Sequence, residues 1–125
     1  KRSPFRTTGV LAVLIAKLPV TRRRGRLHPA TRTFQALRIL VNDELGAITA
    51  MLPEALALLA PKGRCATIAF HSLEDRIVKE FVKREARIAK TIQILTKHVV
   101  RPTREEVLTN PRSRSAKMRV FEKIK

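Results

Sequence analysis

The sequence contains no tryptophan or tyrosine, and it has one cysteine and four glycines in 125 residues. With five phenylalanines as the sole aromatic side chains, a stacking platform for single-stranded nucleic acid is not expected. The single cysteine, Cys65, excludes a disulfide framework and favours a reducing compartment. Its apolar neighbours predict a small core residue. No apolar run is long enough to span a bilayer and no signal-peptide pattern is present, so no membrane partner is expected.

Acidic residues are scarce as well. There are 27 Lys and Arg against 10 Asp and Glu, which gives a net charge of +17. The first acidic residue is Asp43, so ten Lys and Arg precede any carboxylate. Such an imbalance favours a polyanionic partner, nucleic acid ahead of an anionic membrane. The length and the 44% hydrophobic content predict one domain, or a piece of one, with a modest core.

Apolar periodicity predicts three helices in the first half of the sequence. They cover residues 7–18, a stretch opened by His28-Pro29 and broken at Gly46, and residues 47–60. Each of the first two has an apolar face that is expected to be buried. Between them lies a basic loop, Arg22 to Arg26, whose guanidinium groups suit bidentate contacts to phosphate.

The second half of the sequence alternates between strands and helices. A strand over 64–70 is a nearly continuous apolar run, which predicts that both of its faces are covered. An amphipathic helix follows, with an apolar face of Leu73, Ile77, Phe81 and Ile88 that is expected to be buried. A strand over 92–100, a short helix after Thr103, a polar basic loop over 110–115 and a strand over 117–124 come next. The order helix, strand, helix, strand, short helix, strand predicts an α/β fold, the back half of a doubly wound sheet.

The turn between the first strand and its following helix is the centre of the sequence. Ser72 is predicted to cap the helix, with Asp75 completing an arrangement like a capping box. In open α/β sheets such a turn lies at the edge where ligands bind. The alternative interpretation, that Ser72 and Asp75 only cap a helix, is left open by these residues alone.

Other chemistries find little support. The three histidines are scattered and no H-x-x-x-H or C-x-x-C pair occurs, so no metal site is expected. No nucleophile-elbow spacing accompanies His71-Ser72, which argues against a hydrolase. No G-x-G-x-x-G spacing is present, so a glycine-rich loop for a nucleotide cofactor is absent from the sequence.

Three long motifs match a known family in order and spacing. They are Arg26 to Ile39 continued by Val41 to Leu45, Phe70 to Lys79, and Asn110 to Lys117. These residues resemble the bacterial small-subunit ribosomal RNA cytosine-N4 methyltransferases, the family also called RsmH or MraW. The resemblance covers Thr7 to Lys123 and corresponds to the carboxyl-terminal part of the family's length.

The resemblance implies an S-adenosylmethionine-dependent enzyme with a Rossmann-like fold. This chain would hold the back half of the sheet, with its last strand antiparallel and inserted between the other two, plus the end of a helical insertion. Residues 1–24 would be the tail of that insertion with its basic loop, and residues 25–125 the carboxyl-terminal half of the methyltransferase domain. Pro61-Lys62-Gly63 is similar to the family's Pro-Gly-Gly, and Lys62 is expected to need only an ordinary backbone angle.

The resemblance also implies where ligands bind. In the family, the residues that bind the cofactor and the catalytic residues belong to the amino-terminal half, which is missing here, so none is assigned in this sequence. The reversed last strand predicts that loops 71–76 and 110–115 meet at one edge. Residues predicted to bind RNA are Arg22, Arg23, Arg24, Arg26, His28, Arg32, Arg38, Arg112 and Arg114. Those predicted to form the active-site edge are His71, Ser72, Glu74, Asp75, Arg76, Asn110 and Ser113.

Two functions remain open at this point. The first is N4-methylation of a cytidine in small-subunit ribosomal RNA, with the small ribosomal subunit or its assembly intermediate as partner. The second is a non-catalytic, methyltransferase-derived module for RNA binding or ribosome assembly. The compartment would be a bacterial cytoplasm, or a mitochondrial or other organelle matrix in a eukaryote.

Overall fold

The computed structural model describes residues 5–18 and 28–125, and the chain divides into two compact units, the second of which begins at Leu45. The basic loop predicted at residues 22–26 and the helix end predicted at Pro19 lie outside the described residues. The longest described helix has 15 residues, and none of the described helices combines the length and hydropathy of a bilayer-spanning segment.

In the first unit, α1 (Thr8–Ala16) begins where predicted. Thr7 is its N-cap, and the Thr7 hydroxyl accepts a hydrogen bond from the Val10 N–H at 3.3 Å. The predicted burial of its apolar face is wrong for most of the face, because only Ile15 is buried. Val10, Leu14 and Leu18 are each about half exposed.

The second helix, α2 (Thr31–Asn42), starts later than predicted. His28 and Pro29 form a turn ahead of it, in which the His28 carbonyl accepts the Thr31 N–H and the His28 Nδ1 accepts the Ala30 N–H. The expected buried face is also absent, since no residue of α2 is buried and Val41 is 79% exposed.

The break between helices falls at Asp43 and not at Gly46, which lies inside α3 (Glu44–Leu58). Asp43 has φ 46° and ψ 42°, a left-handed conformation that Asp tolerates better than most residues. Glu44 then accepts hydrogen bonds from the Asn42 amide and the Arg38 guanidinium. These local bonds fix the chain reversal, so the glycine is not needed for it.

The second unit follows the predicted order. Its elements are the rest of α3, β1 (Arg64–Ala69), α4 (Ser72–Arg84), a π-helical turn (Glu85–Ala89), β2 (Ile92–Ile94), α5 (Arg104–Thr109), a 3-10 helix (Pro111–Ser115) and β3 (Lys117–Lys123). The strand predicted over 92–100 is regular only at its start, with one further bridge from Val100 to Met118. The loop predicted at 110–115 is a 3-10 helix, because the Ser113 hydroxyl and the Ala116 N–H close it internally.

The three strands form one sheet in the order β1-β3-β2, and β3 is antiparallel to both neighbours. Residue pairs run from Arg64 opposite Glu122 to Ala69 opposite Lys117. The prediction of a reversed last strand inserted between the other two is therefore confirmed. The topology is that of the back half of a Rossmann-like methyltransferase sheet.

The core lies between one face of this sheet and helices α3 and α4. Its buried members are Leu52, Leu56, Val78, Phe81, Val82, Ile92 and Phe121. Phe121 is fully buried and its ring lies 6.3 Å from that of Phe81. Cys65 packs against this cluster, and burial raises the pKa of its thiol, which agrees with the predicted core role.

Two burial predictions for this unit are wrong. Ile88 is 78% exposed because the π-helical turn inserts a residue and rotates it off the α4 face that carries Val78 and Val82. Strand β1 is covered on one face only, since Ile68 on the other is 60% exposed. Both helices of this unit's core pack on the same side, and no described element of the unit covers the opposite one.

The turn into β1 departs from the expectation for Lys62. Its φ is 64°, in the left-handed region, where an ordinary angle was predicted. Two hydrogen bonds between the turn and β3 hold Lys62 in this conformation. The Lys62 N–H donates to the Lys123 carbonyl, and the Lys123 N–H donates to the Gly63 carbonyl. Gly63 is required for another reason, because a Cβ there would lie 2.7 Å from the Ala60 carbonyl oxygen.

Candidate nucleic-acid interface

The end of β1 and the start of β3 meet at one edge of the sheet. Ala69 pairs with Lys117 across the ladder, so the residues that follow β1 and those that precede β3 lie side by side. We call residues 70–76 and 110–117 the β1–β3 edge. The prediction that loops 71–76 and 110–115 converge is confirmed by this register.

The turn from β1 into α4 is closed by His71 and Glu74. The His71 Nδ1 accepts the Glu74 N–H at 3.3 Å, and the Glu74 carboxylate accepts the N–H groups of Phe70 and His71 at 2.9 and 3.2 Å. This capping box replaces the one predicted from Ser72 and Asp75, because the helix begins one position earlier: His71 is the N-cap and Glu74 the N3 residue. Ser72 is exposed as the first residue of α4.

His71 and Glu74 also meet through their side chains. The His71 Nε2 lies 3.0 Å from Glu74 Oε1, and both side chains are less than one-fifth exposed. The contact is close but poorly aligned, so this buried Nε2 makes no hydrogen bond within the described residues. Since Nδ1 accepts a hydrogen bond, a neutral imidazole carries its proton on Nε2. Both side chains thus hold the turn and offer little surface to a ligand.

Asp75 joins α4 to the central strand. The Arg119 guanidinium donates to its two carboxylate oxygens at 2.8 and 3.3 Å, and both side chains are about one-sixth exposed. The hydrogen bond from Arg119 holds the pKa of the Asp75 carboxyl below its ordinary value; partial burial acts in the opposite direction, and the charges of Arg119, Lys117 and Lys79 each lower the pKa by a smaller amount. Asp75, predicted at the active-site edge, fixes the start of the helix to β3.

Replacing Asp75 with asparagine should lower the free energy of unfolding by about 2 kcal/mol, because Arg119 loses a charged, half-buried partner. The folded-state pKa lies below the unfolded one, so the pair stabilises fully above the unfolded pKa and is lost as the pH falls through the folded pKa. Urea unfolding of Asp75→Asn and wild type across the acid range should show the gap closing as the pH drops.

The exposed Asp43 offers a matched control for this measurement. Asp43→Asn makes the same chemical change at a left-handed position that asparagine tolerates, so its effect should stay within about 0.5 kcal/mol. Equal unfolding curves for Asp75→Asn and wild type at neutral pH would contradict a stabilising role for the pair.

The other side of the β1–β3 edge is the 3-10 helix. Ser113 is 6% exposed and its hydroxyl donates to the Asn110 carbonyl at 2.8 Å, so its role is to close the turn. Asn110 is exposed, as are Arg112 and Arg114 on the helix and Arg76 on the facing side. The edge therefore presents three guanidinium groups on a frame that internal hydrogen bonds hold in place.

The remaining residues predicted to bind RNA belong to the first unit. His28 and Arg32 are exposed, with the His28 ring engaged in its own turn. Arg38 forms an ion pair with Glu44 at 2.8 Å and keeps 59% of its side chain exposed. Arg22, Arg23, Arg24 and Arg26 lie outside the described residues.

The sequence profile of the MraW methylase family matches residues 1–124. The chain belongs to this family. Among its relatives is the ribosomal RNA small subunit methyltransferase H of Thermomicrobium roseum, 49% identical over 98% of this chain and 42% of the relative. The enzymes of the same name from Rhodopirellula baltica and Elusimicrobium minutum are 51% and 52% identical. The chain spans about two-fifths of the length of these relatives.

The turn from β1 into α4 of this MraW-family chain leaves few free donors for the carboxylate of S-adenosylmethionine, the cofactor that a methyltransferase family implies. A helix N-terminus usually offers free N–H groups to an anionic ligand. Here the Glu74 carboxylate accepts the N–H groups of Phe70 and His71, the His71 Nδ1 accepts that of Glu74, and the His71 carbonyl accepts that of Asp75. These four donors are not available to the cofactor.

Sequence reasoning on this MraW-family chain missed Arg119. The signal was a cation two residues before the buried Phe121 on the same face of β3, where a charge needs a partner. Asp75, 44 residues away, supplies it. Lys117, at the start of β3 on the same edge, was also overlooked.

Proposed function

We propose that these residues form the carboxyl-terminal part of an enzyme that transfers a methyl group from S-adenosylmethionine to N4 of a cytidine in small-subunit ribosomal RNA. The family match over residues 1–124 carries the proposal. Relatives named ribosomal RNA small subunit methyltransferase H support the substrate class. The resemblance of the three motifs to the cytosine-N4 enzymes supports the finer choice of base and atom.

Different segments of the protein carry different parts of this function. Cofactor binding and the chemical step belong to a segment that precedes these residues in the relatives. Residues 1–24 are the tail of a helical insertion and its basic loop, and residues 25–125 are the second half of the methyltransferase domain. In this part the β1–β3 edge orients RNA through Arg76, Arg112 and Arg114, while His71, Glu74 and Asp75 keep the edge rigid.

The partner is the small ribosomal subunit or its assembly intermediate. A net charge of +17 suits a phosphate backbone, and the relatives named above come from bacteria, which favours a bacterial cytoplasm over an organelle matrix. Affinity for ribosomal RNA should fall with salt by a log–log slope of roughly 0.7–0.9 per phosphate contact.

The test is a methyl-transfer assay on the natural full-length protein. Small subunits from a strain that lacks the enzyme would be incubated with methyl-labelled S-adenosylmethionine, and their RNA digested to nucleosides. Label in N4-methylcytidine is the expected result. Label in another nucleoside would refute the choice of atom, and RNA binding without any transfer would support the non-catalytic module instead.

A further inference from the structure

A cleft of about 350 Å³ runs along α4, next to but separate from the β1–β3 edge. One wall is α4, the opposite wall is the segment that follows β2, and β3 forms the floor. Three lysines line it: Lys79 and Lys83 from α4, and Lys97 from the facing segment. His98 stands beside Lys97, and none of the described residues that line the cleft is acidic.

The positive charge of this cleft is not neutralised. Arg119, at its floor, is taken by Asp75, but Lys79, Lys83 and Lys97 form no ion pair within the part of the chain that the structure describes. Ammonium groups that face each other across a concave surface repel unless an anion lies between them. A cleft lined by one sign of charge also concentrates its field and attracts ligands of the opposite sign.

The wall opposite α4 is held in place by β3. The Leu95 and Thr96 N–H groups donate to the Val120 carbonyl, and the Thr96 hydroxyl accepts the Val120 N–H at 2.8 Å. Beyond them, Val100 and Met118 exchange two hydrogen bonds at 2.9 and 3.0 Å. Residues 97–99 therefore bulge out between two fixed points, which presents Lys97 and His98 with little loss of freedom on binding.

The floor of the cleft is apolar between these cationic walls. Val82 is 4% exposed, and Val120 and Ile94 complete the surface. The one hydroxyl present, that of Thr96, is already engaged with Val120. A small inorganic anion would find few fixed donors here, whereas a nucleotide strand offers phosphates to the lysines and sugar and base surface to the floor.

The cleft continues the β1–β3 edge. Arg76, Lys79 and Lys83 follow one another at i, i+3 and i+7, so helical geometry places them on one side of α4. The rise of 1.5 Å per residue makes this stripe roughly 10 Å long. A strand bound by Arg76 at the edge could thus pass directly into the lysine-lined cleft.

We propose that this cleft binds the sugar–phosphate backbone of the RNA substrate where it leaves the β1–β3 edge. The lysines contact phosphates and do not recognise the base sequence, and they extend the RNA-binding surface along α4. The inference rests on the proposed function for the identity of the RNA, but it assigns to the cleft a role that the edge residues do not fill.

The experiment measures binding of a small-subunit ribosomal RNA fragment to the natural full-length protein at several salt concentrations. Lys83→Glu combined with Lys97→Glu reverses two exposed charges on opposite walls without touching the core. Affinity should fall on the order of tenfold or more, and the salt slope should fall by roughly one to two. Arg87→Glu combined with Lys125→Glu makes the same change in net charge at exposed positions outside the cleft and should have a much smaller effect.

Two outcomes overturn the proposal. If the cleft variant and the control lose affinity equally, overall charge and not the cleft is responsible. If the cleft variant binds RNA like wild type, the cleft serves another ligand, an acidic peptide among them. Either result leaves the proposed function standing as long as the wild-type protein binds the RNA. A wild-type protein without affinity for ribosomal RNA would contradict both the cleft proposal and the proposed function.

Discussion

Replacing Leu52 with alanine is expected to lower the free energy of unfolding by about 3 kcal/mol, a large fraction of the roughly 5–15 kcal/mol that stabilises a typical domain. Leu52 is 1% exposed in α3 and packs in the cluster that includes Phe81 and Phe121. The substitution removes buried methyl groups and leaves a cavity between the helix and the sheet. Urea unfolding of the natural protein, followed by hydrogen exchange of the β1 and β3 amides, would measure the loss.

The same helix provides the control. Leu58→Ala makes the same side-chain change at the last residue of α3, which is 87% exposed, so no buried volume is lost. Its effect should stay within about 0.5 kcal/mol. Similar losses for the two variants would mean that α3 does not pack on the sheet as described.

Reversing Arg112 and Arg114 together should weaken binding to small-subunit ribosomal RNA on the order of a hundredfold at low salt. Each guanidinium can make charge-assisted hydrogen bonds to a phosphate, worth about 1.5 kcal/mol or more apiece, and 1.4 kcal/mol is a factor of ten. The log–log salt slope should fall by roughly 1.4–1.8 if two phosphate contacts are lost. Filter binding or fluorescence anisotropy across a salt series would give both quantities.

Two further variants make the result specific to these side chains. Arg112→Lys with Arg114→Lys keeps the charge but loses the planar fork, so it should keep the slope and lose only part of the affinity. The Arg87→Glu, Lys125→Glu protein controls for net charge. An unchanged slope in the Arg112→Glu, Arg114→Glu protein would remove the 3-10 helix from the RNA interface.

The order of elements in the second unit could be predicted from the sequence, because apolar periodicity and turn residues are local signals. The reversed β3 came from the resemblance and not from periodicity, since a short alternating strand such as 117–124 does not reveal its direction. The positive net charge could also be predicted from the sequence, but the placement of arginines at the β1–β3 edge came from the resemblance. The order of the elements and the net charge depend on composition and on neighbours in the sequence.

Features that depend on contacts far apart in the sequence were not predictable in this way. The Asp75–Arg119 pair requires the register of β1 on β3, and Lys62 takes a left-handed angle because β3 holds it. Ile88 is exposed because the π-helical turn that follows α4 interrupts the 3.6-residue period. His71 was passed over as a cap because Ser72, beside it, is the commoner residue for that role.

The central strand β3 is synthesised after both of its neighbours. Arg64 and Glu122, which face each other across the sheet, are 58 residues apart. At the usual 5–20 residues per second, β1 leaves the ribosome roughly 3–12 s before its partner exists. Throughout that interval the nascent chain carries an apolar segment that ends with Ile68 and Phe70. None of the described strands is yet available to pair with it. The segment that leads into the candidate RNA edge is thus the part of this sheet most in need of a chaperone during translation.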